Sequence, residues 1–391
     1  MRWKAKKLSD CCTSIADGDH QAPPKVDFGI PFVTISNINA YHQFDFTDTM
    51  FVSQEYYDQL DSKRKAQEGD VLYSVVGSFG IPVYMKETVP FAFQRHIAIL
   101  RSNDTILPQF LYYTMLSRDF YMMADAAALG AAQRTVSLTA LRNMKISVPP
   151  MDAQKKITDI LSAYDDLIEN NQKQIKLLEE AAQRLYKEWF VDLRFPGHET
   201  TPIVDGLPDG WEIQTLSQIA DVVMGQSPKS EFYNQDRQGL PFHQGVGSYG
   251  TRFVIDTTYS TSFTRIAEAG SILFSVRAPV GRLNITTNKI VIGRGLAAIN
   301  HRSGMLSYFY LLKERFFKDN IIGNGAIFAS ISKDELLGQK FIVPVDDLVK
   351  RFNTVVSDID GKIAGLENQI MLLTESRDRL LPKLMSGEIE V

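Results

Sequence analysis

KISVPPMDAQKKI, residues 145–157, decides the fold. It reads as a strand that stops at two prolines and then enters a helix, because proline cannot donate to a strand ladder yet is tolerated in the first turn of a helix. KFIVPVDDLVKRF, residues 340–352, makes the same entrance 195 positions later. The offset holds nearby: GAAQRTVS (130–137) lies on GAIFASIS (325–332), and Pro149 lies on Pro344. Toward the N-terminus it drifts to 208. There WKAKKLSDCCTSIADG (3–18) matches WEIQTLSQIADVVMG (211–225), GDVLYSVVGSFGIPVYM (69–85) matches GSILFSVRAPVGRLNIT (270–286), and FAFQRHIAIL (91–100) matches IVIGRGLAAI (290–299). The drift marks loop insertions. One design of about 195 residues is written twice.

Each copy has two parts. The first mixes period-two apolar runs with short helices. DVLYSVV, HIAIL, SILFSV and KFIVP read as strands, and 108–129 and 306–322 read as helices. The second part is a long helix. Its apolar positions include Ile157, Leu161, Ile168, Ile175, Leu178 and Leu185 in the first copy. Phe352, Val356, Ile363, Ile370, Leu373 and Leu380 hold the same frame in the second, with Arg377 in a gap. Steps of three and four sustained over several heptads mark a coiled-coil seam. Asp152, and Asp346 or Asp347, are the expected N-caps. Asn171 on the seam either fixes register or faces a wet gap. A helix over 152–190 is a rod of about 58 Å.

The expected fold is therefore mixed α+β: two α/β domains separated by two long antiparallel coiled-coil helices, with a pseudo-twofold internal repeat. The expected boundaries are 1–150, a helix over 151–192, 193–345 with a linker at 193–206, and a helix over 346–391.

Composition narrows the function. The chain has 391 residues, 44% hydrophobic and 23% charged, with no apolar run long enough for a membrane span and no signal-peptide pattern. Cys11 and Cys12 are adjacent, which suits reduced thiols in a cytoplasmic protein better than a disulfide or a zinc site. The six histidines lack metal-ligand spacing. No P-loop, glycine-rich cofactor loop or amine-methylation motif is present. A binding protein without a reaction, metal or cofactor of its own is expected.

Taken together, these segments resemble the DNA specificity subunit of Type I restriction–modification systems. The paired openings, the GDVLYSVVG and GSILFSVRAPVG segments and the two helix junctions carry the resemblance, with LLEEAAQRLYKEWFVD, PDGWE and the ending RLLPKLMSGEIEV. Their order, repeated twice, covers nearly the whole chain. The resemblance implies that each domain is a target-recognition domain reading one half of a bipartite double-stranded DNA site. It implies that the helices dock two methyltransferase subunits, with restriction (endonuclease and translocase) subunits joining that core. S-adenosylmethionine, ATP and magnesium would then belong to those partners. A coiled-coil adaptor with two duplicated domains and no DNA role is the alternative.

Charge is compatible with DNA reading only locally. Net charge is −4, and residues 1–150 and 193–348 each hold 15 basic and 15 acidic side chains. Residues 269–313 contain no acid but carry Arg277, Arg282, Lys289, Arg294, Arg302 and Lys313. Residues 71–103 carry Lys86, Arg95 and Arg101 against Glu87 alone. A cationic bias in the same segment of both copies suits a DNA-facing surface. Arginine reads guanine and asparagine or glutamine reads adenine by paired hydrogen bonds. On that basis the loops offer Lys25, Asn37, Ser78, Arg95, Gln133 and Arg134 in the first domain, and Lys229, Gln244, Arg277, Arg294 and Asn324 in the second. Tyr56, Tyr57, Tyr112, Tyr113, Phe120 and Tyr121 have helical spacing and are expected to pack rather than stack on bases. Trp189, on the seam, is expected to anchor the rod or a partner helix.

Overall fold

A computed structural model describes residues 3–21, 23–39, 41–47, 49–130, 134–250, 252–304, 306–318 and 330–391, with only the backbone at 316–318. Gln133 and Asn324 lie outside the described residues. The chain forms two compact units. One is 1–170 with 369–391, and the other is 171–368.

The quoted junctions are strand ends in both units. Lys145–Val148 pairs antiparallel with Lys4–Lys7, Lys4 opposite Val148. Lys340–Val343 pairs likewise with Glu212–Thr215, Glu212 opposite Val343. The opening strand of each domain is thus tied to the strand that leads into its long helix.

The main sheets follow one plan. In the first unit the order is Cys12–Asp17, Ile97–Ser102, Val71–Ser74, Pro82–Tyr84, all antiparallel. In the second it is Ala220–Met224, Leu296–His301, Ile272–Ser275, Leu283–Ile285, again antiparallel. The central strands are buried on both faces, so VLYS and ILFS are continuously apolar apart from one serine each. A smaller sheet adds a parallel pair, Ile30–Val33 with Ala92–Phe93 and Leu240–His243 with Ile290–Ile292.

The long helices are Met151–Tyr186 and Asp346–Ser386. In the first unit Ile157 and Leu161 share a core with Leu381 and Leu384. In the second, Ala182 and Tyr186 share one with Phe352 and Val356. Opening turns of one helix therefore meet closing turns of the other, the antiparallel arrangement expected. Ile168, Ile175, Ile363 and Ile370 are buried, while Leu178, Leu185, Leu373 and Leu380 are half-buried. Asn171 is buried too. Trp189 packs 5.8 Å from Phe352 at the start of the second long helix.

Two local expectations are corrected. The helices begin one or two residues before the expected caps allow: Pro150 O accepts from Ala153 N and Gln154 N, and Val345 O from Leu348 N and Val349 N. Asp152, Asp346 and Asp347 instead lie in the first turn, where a carboxylate faces the positive end of the helix. The apolar run 108–129 is two helices, Pro108–Leu116 and Arg118–Ala127. Ser117 breaks it with an extended backbone, and its Oγ accepts from Phe120 N at 3.3 Å. Tyr112, Tyr113 and Phe120 are buried in the core, as expected, and Tyr121 stacks on Phe79 at the surface.

Candidate nucleic-acid interface

At one end of each main sheet three loops converge, and glycine makes the first crossing possible. A Cβ on Gly18 would sit 2.0 Å from Phe93 O, and one on Gly225 2.1 Å from Gly293 O, so any side chain there forces the strands apart. Asp19 N donates to Phe93 O at 2.9 Å, and Gln226 N to Ile292 O at 2.9 Å. These bonds lay the loops 18–29 and 225–239 against the turns that carry Arg95 and Arg294.

A serine shapes the second loop in both units. Ser74 Oγ donates to Ser78 O at 2.9 Å and accepts from Ile81 N at 2.9 Å. Ser275 Oγ donates to Pro279 O at 2.6 Å and accepts from Arg282 N at 2.8 Å. The turn is tethered to the arginine turn by Val75 N to His96 O at 2.8 Å and Val276 N to Gly295 O at 2.9 Å. Ser78 and Arg277 thereby lie next to the segments of Arg95 and Arg294, and all four are exposed.

In the second unit Lys229, Gln244 and Arg294 line one open cleft of about 520 Å³, with Tyr233 in its wall. Ser227 organises it. Its Oγ donates to Gln244 Oε1 at 2.7 Å and accepts from Arg294 N at 3.2 Å. Lys229 also faces Glu231 at 3.8 Å. The candidates of the first unit are less gathered. Lys25 is exposed in its loop. Asn37 Oδ1 accepts from Thr34 N at 2.9 Å, which gives it a turn to hold. Arg134 pairs with Asp125 and lies over the Phe79 ring at 5.5 Å.

The cationic bias thins in three dimensions. Lys86 pairs with Asp166 at 2.8 Å and Arg101 with buried Asp70 at 2.8 Å, while Lys289 faces Glu268 at 2.8 Å. Arg302 covers the carbonyls of Ser217 and Gln218, and burial holds Lys313 below the usual lysine range. Arg95, Arg277, Arg282 and Arg294 are the exposed remainder. Arg95 and Arg294 occupy the same place in the two copies.

One network carries no linear signature. His243, buried at 1% exposure, places Nδ1 2.6 Å from Ser248 Oγ and Nε2 2.9 Å from Asp256 Oδ1. Asn288 Nδ2 donates to Asp256 Oδ2 at 2.8 Å. Burial pushes the Asp256 carboxyl up, but the bonds from His243 and Asn288 outweigh it and hold it below the usual range. The network fixes the loop that begins at Gln244.

Electrostatics also reach the helix face. Burial, with Glu179 nearby, pushes the Glu367 carboxyl up to about 7, against the opposing pull of Arg252. The folded state then binds a proton that the unfolded chain has already released, so stability falls as pH rises from about 4.5 through 7. Glu367→Gln is expected to raise the melting temperature of the second unit above about pH 8 by a few degrees and to leave it unchanged below about pH 4.5. Screening of this half-buried group limits the gain to on the order of 1 kcal/mol. Thermal unfolding across that range checks it.

Among the described residues no cluster of three or more His, Cys, Asp or Glu could hold a metal, and no helix is long and apolar enough to cross a membrane. The family model for the Type I restriction modification DNA specificity domain matches residues 2–180 and 208–371. The chain is 28% identical over 403 residues to a putative type I restriction enzyme MjaX specificity subunit of Methanocaldococcus jannaschii, covering 100% of this chain and 94% of that protein. It is 23% identical over 474 residues to the HindI specificity subunit of Haemophilus influenzae, covering 99% of each. The crystal structure of a Type-I restriction-modification system S subunit from M. genitalium shares the fold at a TM-score of 0.57 and 16% identity, covering 98% of this chain and 96% of that one. With that match running through both copies, the chain belongs to the Type I restriction modification DNA specificity family.

Proposed function

We propose that each domain reads one half of a bipartite site in double-stranded DNA, and that the two long helices set the spacing and dock two methyltransferase subunits. The chain itself catalyses nothing. S-adenosylmethionine, ATP and magnesium belong to the methyltransferase and restriction subunits of the assembled complex, which works in the cytoplasm. The observation that carries this reading is the duplicated loop cluster, with exposed Arg95 and Arg294 at one position in two copies of one fold. Near-neutral domains give weak binding on their own, because phosphate contacts supply most of the affinity. A methyltransferase that also grips the backbone supplies the rest.

The test is binding by the complex of this chain with its methyltransferase. Arg95→Ala and Arg294→Ala should each weaken binding to the specific duplex by about 5- to 150-fold, the worth of one paired base contact. Binding to a scrambled duplex and the melting temperature should stay unchanged. Equal loss on specific and scrambled duplexes would assign these arginines to phosphate instead. Sequence-independent footprints from the unsubstituted complex would sink the reading.

A further inference from the structure

In the second unit one loop with a candidate base-reading residue runs back to a long helix, and the first unit has its counterpart. The loop after Ile30–Val33 holds Asn37, and the loop after Leu240–His243 holds Gln244. They share a frame. Val33 and His243 pair in parallel with Phe93 and Ile292, and a short turn follows at Ile35–Asn37 and Val246–Ser248. A hairpin then closes through Asn39 N to Gln43 O at 2.9 Å and Gly250 N to Phe253 O at 3.0 Å. That register puts His42 and Arg252 at the same position, one residue before the hairpin closes.

At this position the loop of the second unit meets a carboxylate of the helix. Arg252 is fully buried and ion-paired with Asp360. Its guanidinium lies 4.6 Å from the Phe309 ring and 4.7 Å from the Tyr310 ring. Tyr310 Oη donates to the same Asp360 at 3.2 Å. In the first unit Tyr113 Oη donates to Asp165 at 2.6 Å, and Arg377 Nη1 donates to it at 2.7 Å. His42, at the matching loop position, instead has its Nδ1 3.1 Å from Pro82 O. Asp165 and Asp360 are 195 positions apart, the offset of the two helices. The guanidinium comes from the loop in one unit and from the helix in the other, so the trio is not simply a copy left by duplication.

A buried ion pair adds little stability that apolar packing could not supply, but its direction fixes geometry. The geometry points to Asp360 as a positioning residue for DNA reading: it holds Arg252 at the far end of a recognition loop, and so the angle at which Gln244 meets a base. This rests on the proposed reading of DNA by the two domains.

The test uses the full chain co-expressed with its methyltransferase, with methylated positions mapped across the genome. Asp165→Asn and Asp360→Asn are near-isosteric. Asp360→Asn should cut discrimination against single mismatches about tenfold in one half of the site, the worth of one base contact, whereas Asp165→Asn, whose carboxylate holds Tyr113 and Arg377 rather than the loop, should leave it unaltered. Tyr310→Phe, which removes only a hydroxyl, should weaken the same half as Asp360→Asn to a smaller degree. It also carries the test should Asp360→Asn not accumulate. A purely structural role would lower methylation evenly at matched and mismatched sites, and that result for Asp360→Asn, or unaltered discrimination there, overturns the inference. A bipartite motif in the unsubstituted protein with an unaltered Asp360→Asn variant sinks this inference alone, whereas no motif at all sinks the DNA reading with it.

Discussion

Phe352→Ala is expected to destabilise the second unit by about 3–5 kcal/mol. Phe352 has no exposed surface, and four rings surround it. Phe190 is 4.9 Å away, Trp189 5.8 Å, Tyr186 6.2 Å and Tyr310 6.4 Å, centre to centre. Three of those rings belong to the end of the first long helix and its extension, and the fourth to the recognition domain. Truncation removes a large apolar surface and leaves a cavity that rigid neighbours cannot fill, so the transfer and cavity costs add. In thermal unfolding the melting temperature of that unit should fall by about 10 °C. Phe352→Leu keeps most of the volume and should keep most of the stability. Equal losses for both would show that aromatic contact, rather than filled volume, holds the helix pair together.

Arg101→Ala should cost about 3–5 kcal/mol of stability in the first unit. Arg101 grips Asp70 through two bonds, Nε to Oδ1 at 2.9 Å and Nη2 to Oδ2 at 2.8 Å, and Asp70 is only 1% exposed. Removing the guanidinium leaves a carboxylate in the core with Gln67 N as its remaining partner at 2.9 Å. The contrast with Arg95 is the informative part. Both arginines lie in the cationic segment of the first copy, yet Arg95 is exposed. Arg95→Ala should leave unfolding unchanged and alter DNA binding. Arg101→Ala should lower the melting temperature and, below it, leave sequence preference alone. Urea unfolding and duplex binding on the same two variants separate the roles. A stable Arg101→Ala protein would contradict the buried pairing.

The repeat, the strands and the long helices were legible because each rests on periodicity, which local sequence carries. The repeated junctions are strand ends in both units, and the apolar positions of the long helices are buried or half-buried. The break at Ser117 was not legible, because the apolar pattern runs through it and one side-chain cap decides the geometry. The helix starts were missed by a residue or two for a related reason: Pro150 and Val345 precede the helices, and neither side chain can accept a bond, so no capping residue marks the boundary. At the interface, loop positions could be read but occupancy could not. Lys86, Arg101 and Arg302 find partners 80, 31 and 81 positions away, so only the folded chain shows which cations are spent. The His243 network has the same character, since Ser248, Asp256 and Asn288 form no motif along the chain.

The most direct test of two readers in one chain is the methylation map of cells expressing this chain with its methyltransferase, compared with Arg95→Ala and Arg294→Ala. Two specified blocks separated by unspecified bases are expected, with one substitution relaxing one block and the second relaxing the other. A single contiguous motif, or both substitutions relaxing the same block, would contradict it.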